Sequence, residues 1–202
     1  GNGIAGNAKN NVIWNPETGL FGFSCGKSVV FEDLVPANDD DLSTRSQKIM
    51  FGPKNDIQIV AVSPSAKYIA AAELPGKKTR SSNIFVWGGD GKFCYKLGHS
   101  NGILQDLKFA AHDNFLISVG SFLNPVISVW DISKGNILTS YQCARTGPPV
   151  HSIMPVMSSC PVHFFSVGRR SISEWQLVID ENGDSALDCN SVFDLPMQTN
   201  GA

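Results

Sequence analysis

The chain has 202 residues, of which 42% are hydrophobic and 17% charged, and a formal net charge of −2. This is the composition of a globular chain rather than a disordered one, and its charge offers no overall attraction to nucleic acid or anionic membranes. No apolar run approaches the ~20 residues of a membrane span. The five cysteines and four histidines form no C-x-x-C pair and no metal-ligand spacing, so reduced, buried thiols in an intracellular protein are expected, without metal or cofactor.

The chain opens on GNGIAG (1–6), which spells the G-x-G-x-x-G pattern of dinucleotide sites. That pattern binds pyrophosphate only between a strand and a helix N-terminus. Here no strand precedes Gly1, and Asn-rich sequence followed by Asn15-Pro16 takes the place of the helix. Residues 1–10 therefore read as a flexible lead-in. The abrupt start without Met suggests a piece of something longer.

Four segments then share one form: a short apolar strand, a turn, a second apolar strand, and a third strand ending in or near an aromatic residue. They are Val12–Leu34, Ile59–Gly89, Leu107–Ser133 and Ile153–Val178. Phe31, Trp87, Trp130 and Trp175 are the expected anchors, and the last three are spaced by 43 and 45 residues. Fourth strands follow in QKIMF, KFCYKLG and NILTSYQC. Insertions at PANDDDLSTRSQ and LPGKKTRSS lengthen the first step. Alternation in NIFVW and VISVW gives the two-residue period of strands, Gly/Ser/Asn/Asp clusters mark their ends, and no window keeps a helical period. A repeat of 40–45 residues with four strands per unit is the signature of a propeller blade, since a lone four-stranded sheet leaves apolar faces that only stacking can bury. The expected fold is all-β: blades at 11–52, 57–98, 103–143 and 150–193 (the last partial), with 194–202 as tail or linker. These four are expected to be part of a larger propeller of about seven blades.

Gly98-His99 followed by Trp130-Asp131 resembles the WD-repeat signature. The resemblance implies a hydrogen-bonded network inside one blade. His99, Ser118 and Trp130 match its members, while GSFLNP replaces the turn aspartate, with Asn124 the nearest polar residue. The opening stretch, through Asn11, Trp14, Pro16, Thr18, Gly19, Cys25, Gly26, Val29, Val30, Glu32, Asp33 and Leu34, resembles the first blade of a centriole and basal-body WD-repeat family that acts in the microtubule wall. Blades of kinase-pathway scaffolds are similar, sharing a strand like FFSVGRRSISEW (Phe164–Trp175), as are those of echinoderm-microtubule-associated-protein-like proteins.

In a propeller, the loops joining strands b to c, and d to the next a, share one face. That gathers Lys77, Lys78, Arg80, Arg145, Arg169 and Arg170 into a basic rim, with Asp39–Asp41 on the opposite face. Such a rim attracts an acidic partner. Its loops hold no aromatic residue for stacking bases apart from the neighbouring Phe122, so a protein partner is favoured over nucleic acid. Ser63-Pro64-Ser65 is a minimal proline-directed phosphosite, explained equally well as a turn. No nucleophile–base pair occurs, so no enzyme is expected. The resemblance implies a scaffold of the microtubule cytoskeleton, at centriole, basal body or cilium, with tubulin or microtubule-wall proteins as partners. The alternative is a signalling scaffold that recruits a mitogen-activated protein kinase. Copies of the chain would associate if blades are completed between chains.

Overall fold

A computed structural model of the protein describes residues 11–34, 47–77, 81–99, 102–110, 112–121, 125–143, 150–156, 162–168 and 170–194. Their regular structure is all strand, sixteen in number, and each run of four consecutive strands forms one antiparallel sheet. The first holds β1 (Val12–Asn15), β2 (Leu20–Cys25), β3 (Ser28–Asp33) and β4 (Gln47–Met50). The second holds β5 (Ile57–Val62), β6 (Tyr68–Glu73), β7 (Ser82–Gly88) and β8 (Phe93–His99). The third holds β9 (Leu104–Phe109), β10 (Phe115–Gly120), β11 (Val126–Asp131) and β12 (Asn136–Gln142). The fourth holds β13 (Val150–Pro155), β14 (His163–Gly168), β15 (Ser171–Ile179) and β16 (Ser185–Asp194). The four sheets are the blades of a partial β-propeller.

Local chemistry sets the turns. Asn15 Oδ1 accepts from the backbone N–H groups of Glu17 and Thr18, at 3.1 and 3.3 Å, and Gly19 takes the left-handed backbone (φ 69°) that closes the β1–β2 turn. Asp131 does the same after β11, accepting from Ser133 and Lys134 N–H. Burial alone would raise its carboxyl pKa, but these bonds and the Ser133 hydroxyl hold it below the ordinary value.

Stacking decides the rest. A sheet with neighbours on both sides must be apolar on both faces, and every residue of β11, VISVWD, is buried. Three buried clusters fill the three spaces between successive sheets. Trp87 packs with Val29, Phe31 and Met50 of the first sheet. Trp130 packs with Ile59, Ala70, Ile84 and Leu97 of the second, and Trp175 with Ile117, Ile127 and Val129 of the third. Each tryptophan thus faces the sheet before its own.

Phe31 departs from that pattern. It is buried, but on the other face of its strand, toward the second sheet. The cross-strand partners of Trp87, Trp130 and Trp175 on the second strands are Ile69, Leu116 and Phe164. In the first sheet the register position of these tryptophans falls to Glu32, opposite Phe21. The expectation of one anchor type in all four sheets is corrected accordingly, because a one-residue offset in a strand moves a side chain to the opposite face. The pairing of third with fourth strand also shifts register just before each tryptophan, at Val86/Trp87, Val129/Trp130 and Glu174/Trp175. Phe31 instead lies over the bare Gly22, where a Cβ would come within 2.3 Å of its ring.

Single polar side chains bridge neighbouring sheets. Asn15 donates to the Pro64 carbonyl (2.8 Å), and Ser65 donates through both its N–H and its hydroxyl to Asp113 (3.0 and 2.6 Å). Gln58 donates to the Leu104 carbonyl (2.8 Å). Asp106, 1% exposed, accepts from the Ser152 hydroxyl (2.8 Å) and the Ile153 N–H (2.9 Å). The outer faces of the end sheets carry exposed apolar residues, Val12, Trp14 and Ile49 on the first, Met154, Val178 and Phe193 on the fourth.

Candidate functional site

His99, Ser118 and Trp130 meet between the second and third sheets. Trp130 Nε1 donates to Ser118 Oγ (2.8 Å), and Ser118 Oγ lies 3.3 Å from His99 Nδ1. All three residues are buried. The serine oxygen accepts from the indole and its own proton is free to point at Nδ1, in the tautomer that carries the imidazole proton on Nε2. That nitrogen is buried and makes no hydrogen bond with the described residues, as expected where the turn aspartate of the WD pattern is missing. Asn124 lies outside the described residues. His99 ends β8 of the second sheet, while its partners belong to the third. The relay therefore joins two sheets instead of closing within one.

The register locates its counterparts at the other two interfaces. Between the third and fourth sheets, Trp175 Nε1 donates to Ser166 Oγ (2.8 Å). Cys143 holds the position of His99 there, one residue past the pairing of Val126 with Gln142. Burial, with a smaller contribution from Cys189, pushes its thiol up to about 11, so it stays protonated and unreactive at neutral pH. Between the first and second sheets, Gly52 and Ala71 stand in place of His and Ser. The space is filled by Phe85 and Trp87, stacked at 6.0 Å between centroids. The three interfaces are built on one geometry with three fillings, and none has the exposed nucleophile or paired base of a catalytic site.

Burial pushes the His99 imidazole from 6.5 down to about 4. The unfolded chain takes up this proton as pH falls through 6.5, and the folded chain does so only near 4. Stability contributed by the neutral ring is therefore complete above pH 6.5 and lost as pH falls from 6.5 to 4, by about 3 kcal/mol in all. Urea unfolding across that window is expected to show up to one proton more taken up by the parent than by His99→Gln. Equal slopes for the two would refute the assignment.

Of the basic rim, Lys77 and Arg170 are described and exposed, while Lys78, Arg80, Arg145 and Arg169 lie outside the described residues, as do Asp39–Asp41 and Phe122. The strand order puts the 51–56 connection and the Cys25-Gly26-Lys27 turn on the same face. Lys27 and Lys54 are exposed there, and so is one carboxylate, Asp56. Three apolar side chains missed in the sequence reading, Phe51, Leu74 and Ile103, are also exposed on this face, Phe51 by 70%. They adjoin strand ends and look in sequence like core.

Ser63 is fully buried and its hydroxyl accepts from the Tyr68 N–H (3.0 Å), which closes it to a kinase. The FFSVGRRSISEW segment forms β14 and β15, and its Phe164, Ser166 and Trp175 are spent on the interior. Among the described residues no cluster of His, Cys, Asp or Glu is arranged to hold a metal ion. Cys25 and Cys189 are exposed and Cys94 and Cys143 half-buried, so the expectation of buried thiols fails for these positions.

No family model matches the chain. It is similar to WD repeat-containing protein 90 of Homo sapiens, 30% identical over 75% of this chain and 8% of that protein. With the Xenopus tropicalis protein of the same name it shares 27% identity over 87% of this chain and 9% of that protein. It also resembles Cilia- and flagella-associated protein 52 of Chlamydomonas reinhardtii, at 22% identity over 86% of this chain and 26% of that one. The chain spans less than a tenth of the first two relatives. Among solved structures, Kluyveromyces lactis Hsv2 superposes with a TM-score of 0.71 at 13% identity, covering 92% of this chain and 62% of that one. U3-55K does so with a TM-score of 0.60 at 13% identity, covering 87% and 50%. These two likenesses concern the fold.

Proposed function

We propose that this chain, a run of WD-repeat propeller blades related to WD repeat-containing protein 90, is part of a non-enzymatic interaction scaffold of the microtubule cytoskeleton, in the cilium or at the centriole or basal body. The observation that carries the reading is the composition of one face. Lys27, Lys54, Lys77 and Arg170 stand there among the exposed Phe51, Leu74 and Ile103. Cations draw an acidic partner and raise its rate of encounter, while exposed apolar side chains supply the contacts that hold a protein surface. The name of one relative, Cilia- and flagella-associated protein 52, supports the cilium, and the acidic outer surface of tubulin fits the charge.

In co-sedimentation with assembled microtubules across a salt series, the parent chain is expected to pellet at low salt and release as salt rises. A Lys77/Lys78/Arg80→Glu variant, with an unchanged melting temperature, is expected to remain in the supernatant. Failure of both proteins to pellet would refute the tubulin-facing rim and leave recruitment of a protein kinase as the better reading.

A further inference from the structure

The opposite face, where the a–b and c–d turns lie, has a cleft of about 380 Å³ between the first and second sheets, lined by Thr18, Leu20, Phe31, Lys48, Ala66 and Ile69 among others. Three observations there are independent of the rim. First, its floor is hydrocarbon, with the half-buried Leu20 and Ala66 lying over the buried Phe31 and Ile69. Second, its polar groups are underused. Lys48 Nζ donates to the Gly89 carbonyl (3.1 Å) across the sheet boundary, and among the described residues no carboxylate lies within ion-pair distance of it. The buried Thr18 hydroxyl oxygen makes no hydrogen bond with the described residues, although its backbone N–H is taken by Asn15. An unpaired buried hydroxyl destabilises the fold unless something supplies a partner.

The third observation is conformational. Among the described residues Ala66 is the non-glycine residue in the left-handed region, at φ 57°. Its N–H is bonded to the Ser63 carbonyl, and its own carbonyl abuts Gly89, where a Cβ would come within 2.4 Å. The turn is held in a costly conformation at the cleft wall, a kind of strain that concentrates at ligand sites.

We propose that this cleft is a binding site for an acidic linear peptide, one that seats an apolar side chain on Leu20 and Ala66 and presents a neighbouring carboxylate to Lys48 Nζ and the Thr18 hydroxyl. An ammonium and a hydroxyl set over hydrocarbon select an apolar group joined closely to an anion. A linear peptide supplies both on adjacent residues and also fills the open length of a cleft between two sheets. The site goes beyond the scaffold reading above and lies on the other face from its rim.

The test is a titration of the chain with the blocked tetrapeptide acetyl-Ala-Leu-Glu-Ala-amide, followed by ¹H–¹⁵N NMR. Saturable shifts are expected at the amides of Thr18, Ala66, Ile69 and Gly89. Lys48→Glu is expected to weaken binding at least about tenfold, and the glutamine version of the peptide to bind as weakly. Thr18→Val should weaken it about fivefold. Lys48 is exposed, so the variant keeps its fold, which an unchanged melting temperature would establish. The Lys77/Lys78/Arg80→Glu variant should bind the peptide normally, which separates this site from the rim. Absence of saturable shifts, or shifts indifferent to Lys48→Glu, would overturn the proposal. So would hexanoate binding as tightly as the peptide, by assigning the cleft to free acids.

Discussion

Trp175→Ala is expected to lower the free energy of unfolding by about 4 kcal/mol, the range for removing a large buried aromatic. The side chain is 4% exposed and fills the space between the third and fourth sheets. It lies nearly parallel to Phe164 and meets Tyr141 of the third sheet edge-on, at 4.9 Å between centroids. Truncation removes that contact across the interface and leaves the Ser166 hydroxyl, itself buried, without its indole donor. Two further variants divide the effect. Ser166→Ala removes the hydrogen bond and keeps the ring, and should cost about 1 kcal/mol; Trp175→Phe keeps most of the hydrocarbon and should fall between. Urea unfolding measures all three. A loss below about 2 kcal/mol for Trp175→Ala would mean that the ring is not what holds these two sheets together.

Asp106→Ala should cost about 3 kcal/mol by a different route. The carboxylate stands at the start of β9 and reaches across to β13, where it accepts the Ile153 N–H and the Ser152 hydroxyl. Its other oxygen accepts its neighbour's N–H, from Leu107 at 2.9 Å. Hydrogen bonds to a charged acceptor are stronger than neutral ones, and the truncation strands a buried backbone donor that has no water to turn to. Ser152→Ala removes one donor and leaves the acceptor served by the others, so about 1 kcal/mol is expected. A double-mutant cycle between the two should give a coupling energy of similar size. If Asp106→Ala unfolds at the same urea concentration as the parent, the bridge contributes nothing.

Much of the fold was legible in the sequence because its signals are local. Strand alternation, turn residues and the even spacing of three tryptophans each occupy a few neighbouring positions, and together they specify stacked four-stranded sheets. The first sheet was misjudged where a signal of composition competed with one of position. SVVFED contains one aromatic residue, and composition points to Phe31 for the tryptophan's place although that place belongs to Glu32. A two-residue period gives no warning of an offset by one. The bridges were invisible for another reason. Asn15, Ser65 and Asp106 find partners 46 to 49 residues away, and nothing beside an isolated Asn or Asp distinguishes a bridge from a solvated turn. For the candidate site, loop topology gives the expectation of a basic face, of which Lys77 and Arg170 are described. It gave no hint that Phe51, Leu74 and Ile103 surface there, since exposure depends on how the next sheet is seated.

The relay that ends on Trp130 bears on how such a chain could be cut and rejoined. His99 terminates one sheet, yet the serine that its Nδ1 meets belongs to the next, so the cooperating residues run from 99 to 130 across a sheet boundary. Grafting a whole sheet into a new setting would separate the imidazole from its serine and leave each facing a stranger: Gly52 against Ser118, or His99 against Ala71. A graft made inside the sheet, between its third and fourth strands, would carry the matched residues together. The transferable piece of this architecture is therefore the seam between two sheets, with the fourth strand of one on one side of it and the first three strands of the next on the other.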